Sequence, residues 1–425
     1  MPGTVPEQAP HVKLMKILHT ADWHIGKRLE RFSRLDEQEV VLNQIVTIAD
    51  QEDPDLVLVA GDLFDTFNPS SESEELLYRV LERLTGGGTR PVIAIAGNHD
   101  SPDRIMAPEI LARRHGIILC GHPDDPPGSW TTGCTSVRRA ADGLIELSID
   151  RPAVRGVPVR IVALPYANEI RLRRVLDPDD PEQALQEILA ARLQRVADAH
   201  RQKPGINLLV SHLLFAGAGD PTPAEPDGER PIAYIGGAPA LATHMIPEWF
   251  QYVACGHLHR AHQIPGPVPV VYSGSPLSYS FSEAGQRKYV ALIEVEASAA
   301  ADELFAAAQI GWRELDQPRP LLRHRAASVD AAVAWLRDHP RALVELTLEL
   351  EEYLAAAERR RLHEHHDGIV SIIPISAAAG DDETAATAVD PTADIDELFR
   401  SYFSRETGLL PDDATMQLFR EVLGQ

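Results

Sequence analysis

Five short segments of the sequence combine aspartate, asparagine and histidine in patterns suited to metal binding. They are Asp22-Trp-His24, Gly61-Asp62, Gly97-Asn-His-Asp100, Ser211-His212 and Gly256-His-Leu-His259. Residues two apart on an extended segment point to the same side, so Asp22 and His24 share one side of their segment, as do His257 and His259. Imidazole with carboxylate suits manganese, iron or zinc, whereas an all-oxygen set suits magnesium or calcium. The set predicts two neighbouring metals, which at about 3.5–4 Å apart hold the attacking and leaving oxygens of a phosphoryl transfer.

Each segment alone also has an ordinary structural explanation. A single histidine after a strand is more often a structural or surface residue. Gly-Asn-His is a common turn, because glycine and asparagine tolerate left-handed backbone, and Asp62 could be only a helix N-cap. The five occur together, however, each after an apolar run and within one domain-sized stretch. Their joint occurrence favours the metal centre.

Apolar runs of strand length alternate with helical patterns and would position these residues. The runs cover 13–19, 55–60, 91–96, 206–210, 252–254, 269–272 and 289–295. Helical periodicity covers 37–52, 71–84 and 181–200, and Ser71 with Glu74 is a plausible capping box for the second helix. This alternation predicts a layered α/β fold. Open α/β sheets bind ligands at the carboxyl ends of their strands, where the motifs lie.

Composition limits the class of protein but not its substrate. The net charge of −23 argues against a nucleic-acid binder, which usually carries a basic face, although bound cations would offset part of the acid. Three cysteines are too few for a disulfide framework, so a reducing cytoplasm is the expected compartment. No apolar run approaches the roughly 18 residues of a membrane span, and the first residues lack a signal-peptide pattern.

The chain is predicted to contain one large domain followed by smaller parts. Residues 1–14 are Pro-rich and aperiodic, which predicts a disordered extension, and Met15 is expected to be the first residue that matters. Residues 15–300 would form the catalytic domain. Residues 301–376 would form a small α+β domain with a helix over 325–340 and strands over 342–350 and 368–375. A linker over 377–393 and two short amphipathic helices over 394–425 would follow.

The residues around the motifs resemble a known superfamily. The flanking sequences are His19-Thr-Ala-Asp-Trp-His-Ile-Gly26, Ala60-Gly-Asp-Leu-Phe-Asp65, Gly97-Asn-His-Asp-Ser101, Cys255-Gly-His-Leu-His-Arg260 and Tyr272-Ser-Gly-Ser-Pro-Leu-Ser-Tyr-Ser-Phe281. Their order resembles the calcineurin-like metallophosphoesterases, and their details resemble the SbcD family of DNA nuclease subunits. The resemblance runs from Met15 to the end. It implies a β-sandwich flanked by helices, with an α+β capping domain and a C-terminal helix pair.

The resemblance also implies which residues bind the metals, expected to be two Mn²⁺ ions. One ion would be held by Asp22, His24 and His259, the other by Asn98, His212 and His257, with Asp62 bridging them.

The resemblance further implies that His99 faces the scissile phosphate and assists departure of the leaving oxygen, with Asp100 orienting it. Two positions depart from the family pattern. Ser211 stands where much of the superfamily has glycine. Asp65 stands where relatives often have histidine, which leaves its role open between facing the phosphate and supporting a ligand.

The partners implied by the resemblance are DNA and an SbcC-type ATPase, in a heterotetramer, with a homodimer left open. The work of such a complex is exonuclease and endonuclease processing of DNA ends and hairpins in repair, recombination and replication. The sequence has no Walker A loop, so another chain must handle ATP. The terminal helices would bind the base of the SbcC coiled coil, the alternative being packing on their own chain.

Basic residues near the small domain are candidate phosphate contacts, the alternative being an ordinary solvated surface. They are Arg319, Arg323, Arg325, Arg359, Arg360 and Arg361.

Two other functions stay open. A small-molecule or protein phosphoesterase on the same metal site would suit the acidic charge, but has no use for the trailing domain and helices. A non-catalytic scaffold is disfavoured because every ligand position is filled.

Overall fold

The computed structural model describes residues 14–125, 127–140, 143–174, 180–217, 240–266, 268–297, 308–350, 354–376, 395–407, 411, 415–416 and 418–420. The chain divides into two compact units after Pro318. The predicted linker over 377–393 lies outside the described residues, as does the N-terminal extension except for Leu14.

The first unit is built mainly of strands. They are β1 (Leu14–Thr20), β2 (Arg28–Leu29), β3 (Phe32–Ser33), β4 (Leu56–Val59), β5 (Val92–Ile95), β6 (Ile117–Cys120), β7 (Trp130–Thr132), β8 (Thr135–Arg139), β9 (Leu144–Ile149), β10 (Pro158–Leu164), β11 (Ile206–Ser211), β12 (Leu214–Ala216), β13 (Ala240–Ala242), β14 (Tyr252–Cys255), β15 (His262–Ile264), β16 (Val270–Tyr272), β17 (Lys288–Glu296) and β18 (Gln309–Leu315). Its α-helices are α1 (Leu35–Glu52), α2 (Ser71–Leu84), α3 (Pro102–Met106), α4 (Glu109–Ala112), α5 (Glu169–Leu172) and α6 (Pro181–His200).

Two large sheets form the unit. The six-stranded sheet has the order β18-β17-β1-β4-β5-β6, and the eight-stranded sheet has the order β15-β16-β14-β11-β10-β9-β8-β7. Strands β1, β4, β5 and β6 run parallel, as do β10, β11, β14 and β16. Strand β18 extends the first sheet beyond residue 300, because it pairs antiparallel with β17.

The sheets pack face to face, and helices cover their outer faces. The inner core joins residues such as Ile17 and Ile93 of one sheet to Ile161 and Leu208 of the other. Helices α1 and α2 pack on the outer face of the six-stranded sheet, and α6 packs on that of the eight-stranded sheet. The central strands are therefore buried on both faces, which explains their continuous apolar sequences. The predicted layered α/β fold is confirmed.

The helix predictions hold for this unit with one correction. Helices α1, α2 and α6 match the predicted helical segments. Helix α2, however, is capped by Ser70 rather than by Ser71, because Ser70 has extended backbone and its Oγ accepts a hydrogen bond from the N–H of Ser73 at 3.2 Å.

The second unit has a parallel sheet in the order β19 (Leu321–Ala326), β20 (Leu343–Leu350), β21 (Ile369–Ser376). Its helices are α7 (Val329–Asp338), α8 (Ala356–His365) and α9 (Ile395–Thr407). The predicted helix over 325–340 was wrong at its start. Residues 321–326 form β19, which pairs in parallel with β20, and Ser328 caps α7.

The C-terminal segment is helical where it is described. Beyond α9, residues 415–416 and 418–420 are helical, and the rings of Phe399 and Phe419 stack at 3.8 Å between centroids. Among the described helices, none is both long enough and apolar enough to span a bilayer.

Candidate metal centre

All five motifs lie just beyond the carboxyl ends of parallel strands. Asp22 and His24 follow β1, Asp62 follows β4, and Asn98 follows β5, all in the six-stranded sheet. His212 follows β11 and the pair His257 and His259 follows β14, both in the eight-stranded sheet. The face-to-face packing of the sheets brings these two rows of strand ends together.

The first group of donors joins the two sheets. The Nε2 atoms of His24 and His259 lie 3.0 Å apart, and His24 Nε2 lies 3.6 Å from Asp62 Oδ2. Donor atoms of Asp22, His24 and Asp62 all lie within 4.8 Å of one another. Donors that share an ion at about 2.1 Å are about 3 Å apart at right angles, so this spacing suits one ion.

The second group lies on the other side of Asp62. Asn98 Oδ1 is 2.9 Å from His212 Nε2 and 3.0 Å from His257 Nδ1. His212 Nε2 is also 3.3 Å from Asp62 Oδ2. One carboxylate oxygen of Asp62 is therefore within reach of both groups, as a bridging ligand must be.

The site is buried, and two of its oxygens lack partners. Asp22, His24, Asp62, His212 and His257 are fully buried. Among the residues that the structure describes, nothing donates a hydrogen bond to Asp22 Oδ2 or Asp62 Oδ2. Buried carboxylate oxygens are costly when unpaired unless a cation meets them. The donor set and its spacing thus fit divalent metal ions.

The backbone at the site adopts conformations that are rare for non-glycine residues. Positive φ angles occur at Asp22 (55°), His24 (43°), Asp62 (49°) and His257 (94°). Such conformations cost about 1–3 kcal/mol each and persist where the surroundings enforce them. Here the loops after β1 and β4 are joined by backbone hydrogen bonds from Asp22 to Gly61 (2.9 Å) and from His24 to Asp62 (2.9 Å).

Burial and mutual charge shift the acid–base properties of the donors. Burial raises the pKa of Asp22 to about 7. Burial alone would lower the pKa of His212, but the carboxylate of Asp62 outweighs it and raises that pKa to about 9. In the metal-free protein a proton on His212 thus offsets the charge of Asp62, and a bound cation would take over that role.

His99 lies beside the first group but is less buried. Its ring packs edge-on against His24 with centroids 4.9 Å apart. Its Nδ1 lies 2.8 Å from the carbonyl oxygen of Asp65, and its backbone N–H donates to Asp62 Oδ1 at 2.9 Å. The carboxylate of Asp65 meets Lys27 Nζ at 2.9 Å and lies 3.6 Å from His24 Nδ1, and donor atoms of His24, Asp65 and His99 all lie within 4.8 Å of one another.

Asp100 links two loops beside His99, and its expected role of orienting His99 stays a prediction. Its carboxylate accepts hydrogen bonds from the backbone N–H groups of Leu63 (3.0 Å), Phe64 (2.9 Å) and Gly97 (2.8 Å). It therefore ties the loop after β4 to the loop after β5, while the carbonyl of Asp65 meets the ring of His99 at Nδ1.

Several supporting residues were not predicted from the sequence. Arg171 is buried and donates to the carbonyl oxygens of Gly97 (2.7 Å) and Asp100 (2.8 Å). Glu283 lies 3.2 Å from His259 Nδ1 and pairs with Lys288. Burial would raise the pKa of Glu283, but His259 and Lys288 hold it well below its usual value. No local spacing in the sequence signals these contacts. The one available signal was Lys288, a charged residue at the start of the otherwise apolar strand β17.

The predicted phosphate contacts lie in the second unit, away from the residues of the metal centre in sequence. Most are paired with acidic groups: Arg323 with Glu345 (2.7 Å), Arg325 with Glu349 (2.5 Å), Arg361 with Asp330 (2.6 Å) and Arg319 with Asp367 (3.8 Å). Arg359 and Arg360 are exposed on α8, and no acidic group in the described part of the chain forms an ion pair with either.

Comparison with known proteins shows the family of the chain. Residues 15–261 match the calcineurin-like phosphoesterase family. The chain is 33% identical over 419 residues to the SbcD subunit of the SbcCD nuclease from Bacillus subtilis, covering 96% of this chain and 97% of that protein. It is 33% identical to the SbcD subunit from Rhodobacter capsulatus over 73% of this chain and 71% of that protein. A solved dimetal phosphatase from Danio rerio is 13% identical with a TM-score of 0.35, covering 70% of this chain and 98% of that one. The chain therefore belongs to the calcineurin-like phosphoesterases and, within them, to the SbcD family of SbcCD nuclease subunits.

Proposed function

We propose that this protein is the nuclease subunit of an SbcCD-type complex and hydrolyses phosphodiester bonds in DNA. The observation that carries the proposal is the extent of the similarity. The phosphoesterase match ends at residue 261, but similarity to a nuclease subunit covers 96% of the chain, including the second unit. A phosphatase of small molecules or proteins would need only the first part.

We assign the donors to two ions as follows. The first position is formed by Asp22, His24 and His259, and the second by Asn98, His212 and His257. Asp62 bridges them, an assignment supported by the 3.6 Å and 3.3 Å distances from its Oδ2 to His24 and His212. The mixture of imidazole and carboxylate suits manganese, iron or zinc, and we propose Mn²⁺ among these because of the resemblance to the SbcD family.

The ions would supply an activated water and positive charge for phosphoryl transfer. The protein's own contribution centres on His99, which lies beside the first position and is partly exposed. Nδ1 of His99 donates a hydrogen bond to the carbonyl oxygen of Asp65. The other nitrogen of the imidazolium, Nε2, can then give its proton to the departing sugar oxygen. Asp65 thus supports His99 through its carbonyl, while its carboxylate lies between Lys27 Nζ (2.9 Å) and Nδ1 of the proposed ligand His24 (3.6 Å).

The test of the proposed function compares two substrates under the same conditions. With Mn²⁺ present, linear duplex DNA and hairpins should be cleaved much faster per site than a chromogenic phosphodiester. Preference for the small ester, with DNA left intact, would instead support a small-molecule or protein phosphoesterase.

We further propose that the C-terminal helices bind an SbcC-type ATPase. In helix α9, Tyr402 is 56% exposed and Ile395 45%, and beyond it Leu418 is 61% exposed. A short helix with exposed apolar residues gains stability by docking on a partner. A truncated variant that ends at about residue 385 should therefore fail to retain an SbcC-type protein in a pull-down. It should still cleave DNA with Mn²⁺. Undiminished retention would place the interface elsewhere.

DNA contacts are proposed first for Arg359 and Arg360, because the other candidate arginines already meet carboxylates. Substituting both by glutamine should weaken DNA binding uniformly across sequences and reduce its salt dependence. Arg323→Gln is the matched control, since its charge is offset by Glu345.

Assembly and compartment complete the proposal. The chain is proposed to act in the cytoplasm, since Cys120, Cys134 and Cys255 are all free thiols.

A homodimer within the heterotetramer would have an apolar surface available at Ile110 and Leu111 of α4, which are 61% and 65% exposed. The homodimer is tested by analytical ultracentrifugation of the double variant Ile110→Lys, Leu111→Lys, which we expect to be a monomer.

A further inference from the structure

We infer that Glu283 and Lys288 form a buried pair that positions the metal ligand His259 and thereby sets the affinity of one metal position but not the other. The inference rests on the proposed metal centre. Neither residue belongs to the five motifs.

The contacts of Glu283 point to this role. The residue is 3% exposed, and its Oε1 lies 3.2 Å from His259 Nδ1. The same oxygen accepts hydrogen bonds from the backbone N–H groups of Tyr279 (3.1 Å) and Ser280 (3.2 Å). The carboxylate is therefore fixed on the side of the imidazole that faces away from His24.

This contact decides which nitrogen of His259 can bind a metal. An ionised carboxylate can only accept, so Nδ1 must carry the hydrogen and Nε2 keeps its lone pair. That Nε2 is the atom that lies 3.0 Å from His24 Nε2. A carboxylate behind a ligand histidine also makes the imidazole a stronger donor.

Lys288 completes the arrangement from the other side. It is 1% exposed, and its Nζ forms an ion pair with Glu283 Oε2. The same Nζ donates to the backbone carbonyl of His259 at 3.1 Å and to Ser275 Oγ at 3.0 Å. The lysine therefore holds the carboxylate in place through an ion pair and also fixes the main chain of the ligand.

The second metal position is held differently. His212 Nδ1 meets a neutral group, the carbonyl oxygen of Ala60, at 2.7 Å. Loss of the Glu283 charge should therefore affect the His24–His259 position and leave the His212 position unchanged.

The experiment is calorimetric titration of the full-length, metal-free protein with Mn²⁺, using Glu283→Gln. The amide keeps the size of the side chain but removes its negative charge. Its oxygen, held by the N–H groups of Tyr279 and Ser280, becomes a weaker acceptor for Nδ1, and the ion pair with Lys288 is lost. We expect one of two Mn²⁺ sites to weaken about 10- to 100-fold and the other to keep its affinity. Lys288→Met should weaken the same site, and it serves as the second variant if Glu283→Gln does not fold.

A matched control separates positioning from general support. Arg34 and Glu37 form another buried ion pair, at 2.7 Å, and neither is among the proposed ligands. Glu37→Gln should lower the melting temperature but leave both Mn²⁺ affinities intact. Equal loss at both sites in Glu283→Gln, or no loss at either, would overturn the inference. Because the readout is metal binding, a protein that binds two Mn²⁺ but does not cut DNA would refute the proposed function alone.

Discussion

The side chain of His99 differs from the histidines around it. His24, His212 and His257 are fully buried, whereas His99 is partly exposed and packs against His24. A ligand gains from burial because water does not compete for its metal. A proton donor to substrate must instead remain accessible. His99 meets this requirement, because it lies beside a proposed metal ligand and is partly exposed.

The first prediction is that His99→Ala keeps both metals and loses hydrolysis. Removing a proton donor usually costs about 10²- to 10⁴-fold in rate, while the ligand set is untouched. The measurement is kcat on duplex DNA together with Mn²⁺ content by elemental analysis. A metal-depleted variant would mean that His99 is itself a ligand.

The second prediction concerns His19, a buried histidine at the end of β1 whose Nδ1 lies 2.8 Å from the hydroxyl of Tyr252. Burial lowers its pKa from 6.5 to about 3. The folded state thus keeps it neutral while the unfolded chain takes up a proton below pH 6.5. The contribution of His19 to the stability of the folded state is therefore fully present above pH 6.5 and is lost as the pH falls towards 3.

Replacing this group should therefore remove part of the acid sensitivity of the fold. In metal-free protein, His19→Gln should be less stable than the parent at pH 7. The difference in free energy of unfolding should narrow by about 2 kcal/mol between pH 7 and pH 5. Urea unfolding at both pH values measures it, and a constant difference would show that His19 is not kept neutral.

At the scale of elements, the loops after the strands are packed too closely to admit extra atoms. A Cβ added to Gly97 would overlap the carboxylate and the backbone nitrogen of Asp62, the proposed bridging ligand. The glycine thus lets the loop after β5 approach the loop after β4. The two loops are further tied through Asp100.

The third prediction is that Gly97→Ala weakens metal binding at both positions, because Asp62 must move. A destabilisation of about 1–3 kcal/mol should accompany it. Gly128→Ala is the control, since a Cβ there meets open space. Calorimetric Mn²⁺ titration and thermal unfolding of both variants provide the comparison; unaltered binding by Gly97→Ala would show that Asp62 can shift at no cost.

For the whole molecule, the two units differ in what metal binding should do to them. All proposed ligands lie in the first unit, which ends at Pro318. Carboxylates there are buried close together, in a chain whose net charge is −23. Cations should therefore relieve repulsion in one unit only.

The fourth prediction is that Mn²⁺ raises the unfolding temperature of the first unit and leaves the second unchanged. A ligand at 100 times its Kd adds about 2.7 kcal/mol for each site. Scanning calorimetry with Mn²⁺ and then with excess chelator measures it, with the separately expressed 319–425 segment as reference if it folds. An equal shift of both transitions would argue against a site confined to the first unit.

The sequence by itself determined the chemistry, because donor types and their places after apolar strands are local properties. It also predicted the strands β1, β4, β5, β11 and β14 and the helices α1, α2 and α6. It did not determine which donors meet, because Asp62 reaches His212 only through the packing of one sheet on the other. Glu283 and Lys288 were missed for the same reason, because the ligand that they support, His259, is distant from them in sequence. Long-range packing decides such contacts, and no local spacing encodes it.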